Sequence, residues 1–142
     1  MMCGQRKLFF TLSIPVRWAD LDANNHVNNA IYFTYFEQAR IAWLESIGAQ
    51  NTAEGQGPVI VQTGCDFLKP IPYPEMLRVR VYGGAPSRSS FPTFYEILAA
   101  ENSEIKYATG QAIMVWTDRN TGKSHPLPDF LRKQLGAKPS EL

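Results

Sequence analysis

The stretch DLDANNHVNN, residues 20 to 29, sets two carboxylates, four asparagines and one histidine into ten positions. Four chemistries can use such a set. A calcium loop would take Asp20, Asp22 and Asn24 as its first, third and fifth ligands. Its sixth position must be glycine and is Asn25; its twelfth must be a bidentate glutamate and is Ile31. A transition-metal site would join His26 to Asp20 or Asp22, but the second of the two histidines is His125 and no ligand spacing links them. No metal is expected. Turn formation and helix capping by Asx residues accounts for one or two of the seven polar side chains. It leaves the histidine and the doubled acid unexplained. The fourth chemistry is acyl transfer. A carboxylate beside a helix N-terminus is stabilised as the anion, and the same uncapped N–H groups can hold a developing oxyanion. Together they supply a base or nucleophile and an electrophilic cradle for hydrolysing an activated ester. No Gly-x-Ser-x-Gly is present and no cysteine stands near the decapeptide in the sequence, which argues against a Ser or Cys nucleophile.

The elements that must carry these residues follow from periodicity. Residues 8 to 18 alternate, with Phe10, Leu12, Ile14 and Val16 on one face, and predict a strand whose Pro15 marks an edge or bulge. Residues 29 to 47 carry apolar side chains at helical spacing on nearly every side, with Asn28 or Asn29 as cap and Gly48 as terminator. Such a helix must be wrapped. Strands are expected at 59–68, 76–83, 91–100 and 104–118, with a Gly-rich loop at 53–58 and an extended, proline-punctuated connection at KPIPYPE. PDFLRKQL predicts a short final helix. The order β-α-β-β-β-β describes one α+β domain: an antiparallel sheet curled around one long helix. Its outer strands stay open, so pairing with a second copy is expected.

Composition narrows the function classes. The 142 residues suit a single domain, and 44% hydrophobic with 19% charged residues is ordinary for a globular chain. A formal net charge of +1 without a basic stripe gives no reason to expect nucleic acid. The two cysteines, Cys3 and Cys65, are too few for a disulfide framework, so a reducing, cytoplasmic setting is expected. The apolar run after Arg6 and Lys7 is interrupted by Thr11 and Ser13 and lacks a cleavage site; a first strand is expected there rather than a secretory signal. No segment approaches the ~20 apolar residues that span a bilayer.

The segment VRWADLDANNHVNNAIYFTYFEQAR, residues 16 to 40, resembles the signature of hot-dog-fold acyl-CoA thioesterases of the 4-hydroxybenzoyl-CoA thioesterase type. The pattern D-x-D-x-x-x-x-V, N-x-x-Y, F-E-x-x-R is met by Asp20, Asp22, Val27, Asn29, Tyr32, Phe36, Glu37 and Arg40. HVNN also resembles the acyl-ACP thioesterases. The resemblance implies a hot-dog fold and hydrolysis of an aryl- or fatty-acyl-CoA, with CoA present only as part of the substrate and no separate cofactor. It places the catalytic carboxylate at Asp22, acting as nucleophile or as general base, and a polarising backbone N–H at Asn29. Asn24 and His26 match polar residues around the acid. Tyr32 and Phe36 are expected to line the acyl pocket. Arg88, Ser89 and Ser90 resemble a segment that meets the CoA nucleotide, and Arg88 can pair a phosphate bidentately. Glu37 and Arg40 are read as an intrahelical pair. The site is expected between two subunits of a homodimer, with a dimer of dimers as a further step. Two departures stand out. Asn25 occupies a position where many relatives carry glycine, and FLKPIPYPE offers a proline where some acyl-ACP enzymes carry a later acid, which favours CoA as carrier. A non-hydrolytic acyl-CoA-binding domain is the alternative from another class.

Overall fold

Period-two alternation builds one five-stranded antiparallel sheet in the order β1-β3-β4-β5-β2. Its strands are β1 (Lys7–Pro15), β2 (Gln56–Phe67), β3 (Met76–Gly83), β4 (Ser90–Ala99) and β5 (Asn102–Asp118); the described residues also form α1 (Asn29–Ser46) and a short α2 (Asp129–Gln134). This computed structural model describes residues 6–50, 52 and 54–136; Cys3 lies outside them, as does part of the expected 53–58 loop. Because α1 links β1 to β2, it passes from one edge of the sheet to the other.

The core lies between α1 and the inner face of the sheet. Leu77, Val79 and Val81 of β3, Phe91, Tyr95 and Ile97 of β4, and Ala108, Ala112, Met114 and Trp116 of β5 are buried on that face. From the helix, Tyr32, Tyr35, Phe36, Ala39, Trp43 and Leu44 meet them. These positions form a single stripe at helical spacing. Close approach of helix and sheet depends on Gly110: a Cβ there would come within 2.4 Å of Phe36 Cε2. With none present, the Phe36 ring reaches the strand and stacks on Tyr95, centroids 4.9 Å apart.

The helix is not wrapped on all sides within one chain. Glu37, Gln38 and Glu45 are exposed, while Ile31, Phe33, Ile41 and Ile47 are half-covered. The Glu37–Arg40 pair is also absent among the described residues. Arg40 instead donates to the Tyr95 hydroxyl at 3.2 Å.

Strand ends differ from the periodic reading for local reasons. β1 stops at Pro15, three residues short, because Asp20 captures the chain that follows: the Arg17 N–H donates to Asp20 Oδ2 at 2.9 Å and folds Trp18–Asp20 into a 3₁₀ turn. The irregularity in β1 falls at Phe9, between Leu8 and Phe10, rather than at Pro15. β2 begins earlier than expected, at Gln56. Pro58 is accommodated because β2 is an edge strand. The edge carries Val59, Val61 and, at its end, Phe67, all exposed.

Candidate active site

Residues 20 to 28 fold into a small antiparallel hairpin. Asn28 N–H donates to the Asp20 carbonyl at 2.9 Å, Leu21 bridges Val27, and Asp22 N–H donates to the His26 carbonyl at 2.9 Å. The tip closes with Asn25 N–H donating to the Asp22 carbonyl at 3.1 Å. Asn25 sits at φ +62°, the left-handed conformation that glycine adopts readily and that asparagine tolerates better than most residues. The proline-rich connection braces the hairpin, since Val27 N–H donates to the carbonyl of fully buried Ile71 at 3.1 Å.

Helix α1 starts directly from this hairpin, and its first amides divide unequally. Asn28 is the cap: its side chain accepts from Ala30 N–H at 2.9 Å, and its carbonyl accepts from Ile31 N–H at 2.9 Å. The Asn29 N–H has no hydrogen-bond partner among the described residues. It is the orphan donor that a helix start presents to a ligand.

A cleft of about 350 Å3 opens at this point. Asp22, Asn24, His26, Val27, Asn29 and Tyr32 line one side, and Phe67, Leu68, Lys69 and Pro70 the other. Asp22 is half-exposed; its Oδ1 accepts from Asn24 N–H at 2.8 Å, and Oδ2 has no protein partner among the described residues. The His26 imidazole neither hydrogen-bonds Asp22 nor caps the helix, since the cap is Asn28 and only the His26 carbonyl meets Asp22. Tyr32 is buried at the cleft's apolar side, set edge-on to Phe67 with centroids 4.8 Å apart. Burial pushes its phenol pKa up, so Tyr32 remains a neutral hydroxyl, directed at the Lys69 carbonyl 3.4 Å away.

The two acids of the motif have different surroundings. Asp20 is 1% exposed. Its carboxylate accepts from Arg17 N–H, from Arg17 Nε at 3.1 Å and Nη2 at 2.8 Å, and from the Tyr35 hydroxyl at 2.7 Å. Burial alone would raise its pKa, but these hydrogen bonds and the guanidinium outweigh it and hold the carboxyl below its ordinary range. Tyr35 is correspondingly pushed up, by burial first and by donating to Asp20 second. Cys65 lies on β2 two residues from Phe67 but does not line the cleft. Burial pushes its thiol up to about 11, which leaves it protonated and a poor nucleophile.

Some expected site residues lie elsewhere. Phe36 does not line the cleft; it is buried in the core against Tyr95. Arg88, Ser89 and Ser90 do not reach the cleft within one chain. Ser90 pairs with Val115 and Phe67 with Ala108, both on β5, so these sites are roughly 23 Å apart along that strand. Arg88 is exposed, and its carbonyl receives Leu127 N–H as the C-terminal segment passes. Conversely, no local pattern in the sequence marks Phe67, Leu68, Lys69 and Pro70 as site residues. They reach the cleft because Leu68 and Lys69 N–H both donate to the Tyr107 carbonyl, which turns the chain across the hairpin.

Among the described residues, no group of three or more His, Cys, Asp or Glu side chains comes together to hold a metal, and no helix is long and apolar enough to cross a membrane.

Known proteins resemble this chain in sequence and fold. The structure of the PA2801 protein from Pseudomonas aeruginosa is 36% identical, with a TM-score of 0.84, and covers 89% of this chain and 98% of that one. The 1,4-dihydroxy-2-naphthoyl-CoA thioesterase Slr0204 from Synechocystis is 24% identical with a TM-score of 0.80, over 89% of this chain and 95% of its own, a likeness of fold. In sequence, the chloroplastic acyl-acyl carrier protein thioesterase ATL3 of Arabidopsis thaliana is 28% identical over 132 residues, 89% of this chain and 67% of its own. The family model of the thioesterase-like superfamily matches residues 16–135, from just after β1 to just past α2. With the hairpin, the helix and four of the five strands inside that match, the chain belongs to the thioesterase-like superfamily: a hot-dog-fold thioester hydrolase.

Proposed function

We propose that this protein hydrolyses acyl-CoA thioesters, with Asp22 as the reacting carboxylate and the Asn29 N–H as the oxyanion donor. The supporting observation is that Asp22, with one oxygen unclaimed, and the orphan amide of Asn29 line the same cleft. In the nucleophilic route, Asp22 Oδ2 attacks the thioester carbonyl and the C–S bond breaks. The CoA thiolate leaves and takes a proton, and water cleaves the resulting anhydride to restore Asp22. In the general-base route, Asp22 takes a proton from water as that water attacks the same carbon; the C–S bond then breaks and the proton passes to the departing thiolate. Both routes place the tetrahedral oxygen at Asn29 N–H, a contribution of roughly 3–4 kcal/mol for one such donor. Asn24 orders the acid through its backbone. His26, which lines the same cleft, orients the attacking water.

The acyl group lies against Tyr32, Phe67 and Leu68, an apolar wall suited to an aryl or medium aliphatic chain. Coenzyme A is supported as the carrier by the motif of residues 16 to 40 and by the substrate named for the Synechocystis relative. The Arabidopsis relative favours a second reading, in which acyl carrier protein delivers the same acyl group. We read the active unit as a homodimer built on the exposed β2 edge, whose last residue, Phe67, lines the cleft. Arg88, Ser89 and Ser90 would then serve the nucleotide of a substrate bound with a second copy. The two-cysteine composition suits a cytoplasmic setting.

The test is thiol release from a panel of aryl-, short- and long-chain acyl-CoA substrates, each compared with the acyl-ACP counterpart. Asp22→Asn should fold normally and lose turnover by two orders of magnitude or more. His26→Ala should lose less. Near-parent turnover by Asp22→Asn would remove the carboxylate from the mechanism, and acyl-CoA binding without turnover by the parent would favour a binding domain.

A further inference from the structure

We infer that Asp20 is a positioning residue for the reaction, its buried carboxylate holding the backbone frame from which Asp22 and the Asn29 amide face the cleft. This rests on the reading of Asp22 as the reacting acid. Asp20 cannot be a second catalytic acid: it is 1% exposed, it does not line the cleft, and both its oxygens are occupied, Oδ1 by Arg17 Nε and Nη2, Oδ2 by Arg17 N–H and Tyr35 hydroxyl. Its backbone is engaged as well. Its N–H donates to the Arg17 carbonyl and its carbonyl accepts from Asn28 N–H, each at 2.9 Å.

Those contacts tie three elements to one residue. Arg17 belongs to the 3₁₀ turn that leaves β1, Asn28 caps α1, and Tyr35 stands two turns inside the helix. The base of the hairpin is therefore locked to the helix through one carboxylate, with the Asp22–His26 hydrogen bond one step further out. The ion pair joins a buried carboxylate to a largely exposed guanidinium, so solvent screening on one side and desolvation on the other leave it little net stability; what it can fix is geometry. Here the geometry is the relation between an acid on a loop and an amide at a helix start. Misplacing such groups by about an ångström can cost a hundredfold in rate.

Asp20→Asn would disturb a buried charge and endanger the fold, so Tyr35→Phe carries the test. It removes one hydrogen bond to Asp20 Oδ2 and leaves the ring's volume intact. Two measurements are made on the full chain: amide hydrogen exchange across residues 20 to 29, and kcat and KM for thiol release. We expect exchange in the hairpin to quicken severalfold, and kcat to fall about tenfold while KM stays within about twofold. Unchanged exchange, or faster exchange with unchanged kcat, overturns the inference. So does an equal rise in KM alone, which would mark a binding role. If Asp22→Asn retains turnover, the reading of the reaction fails and takes the catalytic half of this inference with it. The exchange result still decides whether Asp20 holds the hairpin.

Discussion

Asn28 closes the site hairpin and opens the helix at once: its N–H reaches back to Asp20 while its side chain caps Ala30. The two bonds make the amide that follows, Asn29, the one left over. A cap thus selects which donor faces the cleft.

Replacing Asn28 by Ala should therefore cost more than a cap. Losing the side-chain acceptor destabilises the protein by about 1 kcal/mol, read as a lower urea midpoint. The freed Ala30 N–H would compete with Asn29 for the substrate oxygen, so thiol release should fall at least severalfold even where the variant is fully folded.

At the tip, Asn25 at φ +62° tests the backbone alone. Asn25→Gly should keep parent stability and turnover. Asn25→Val, a β-branched residue forced into the same conformation, should lose about 1–2 kcal/mol, visible as a lower melting temperature, with a loss of turnover as the hairpin deforms.

Acid stability should report on Asp20. Its pKa is lower folded than unfolded, so its contribution is present above the unfolded value of about 4 and is lost as pH falls through the folded value. Tyr35→Phe removes a donor to the anion and brings the folded pKa closer to the unfolded one. The stability gap between parent and variant, followed by circular dichroism against pH, should be widest near neutrality and narrow below about pH 4.

The β2 edge predicts assembly. Val61 is 58% exposed and interrupts the register between Ile60 and Gln62. Light scattering after gel filtration should give twice the monomer mass for the parent. Val61→Lys should shift the population towards monomer, as a charge on an edge strand discourages pairing.

Much of this molecule is legible in its sequence. The order of elements follows from two periodicities, and the Asp22–Asn29 spacing marks an acid beside a helix start. What stayed hidden depends on partners distant in the chain. Phe67 to Pro70 enter the site through a register with β5 and a turn at Tyr107, neither of which local patterning encodes. Phe36 matches a motif position yet lies in the core, because Gly110 leaves room for its ring. Arg88 to Ser90 have suitable chemistry, but strand register carries them to the far end of the sheet. Asp20 and Asp22 look equivalent on paper; Arg17 and Tyr35 distinguish them.

The open rim formed by Phe67 and Leu68 bears on how the enzyme is assayed. If a neighbouring molecule supplies the missing wall, specific activity will depend on enzyme concentration, falling on dilution into the range where protomers separate. Rates gathered at a single low dose would then describe half a binding site.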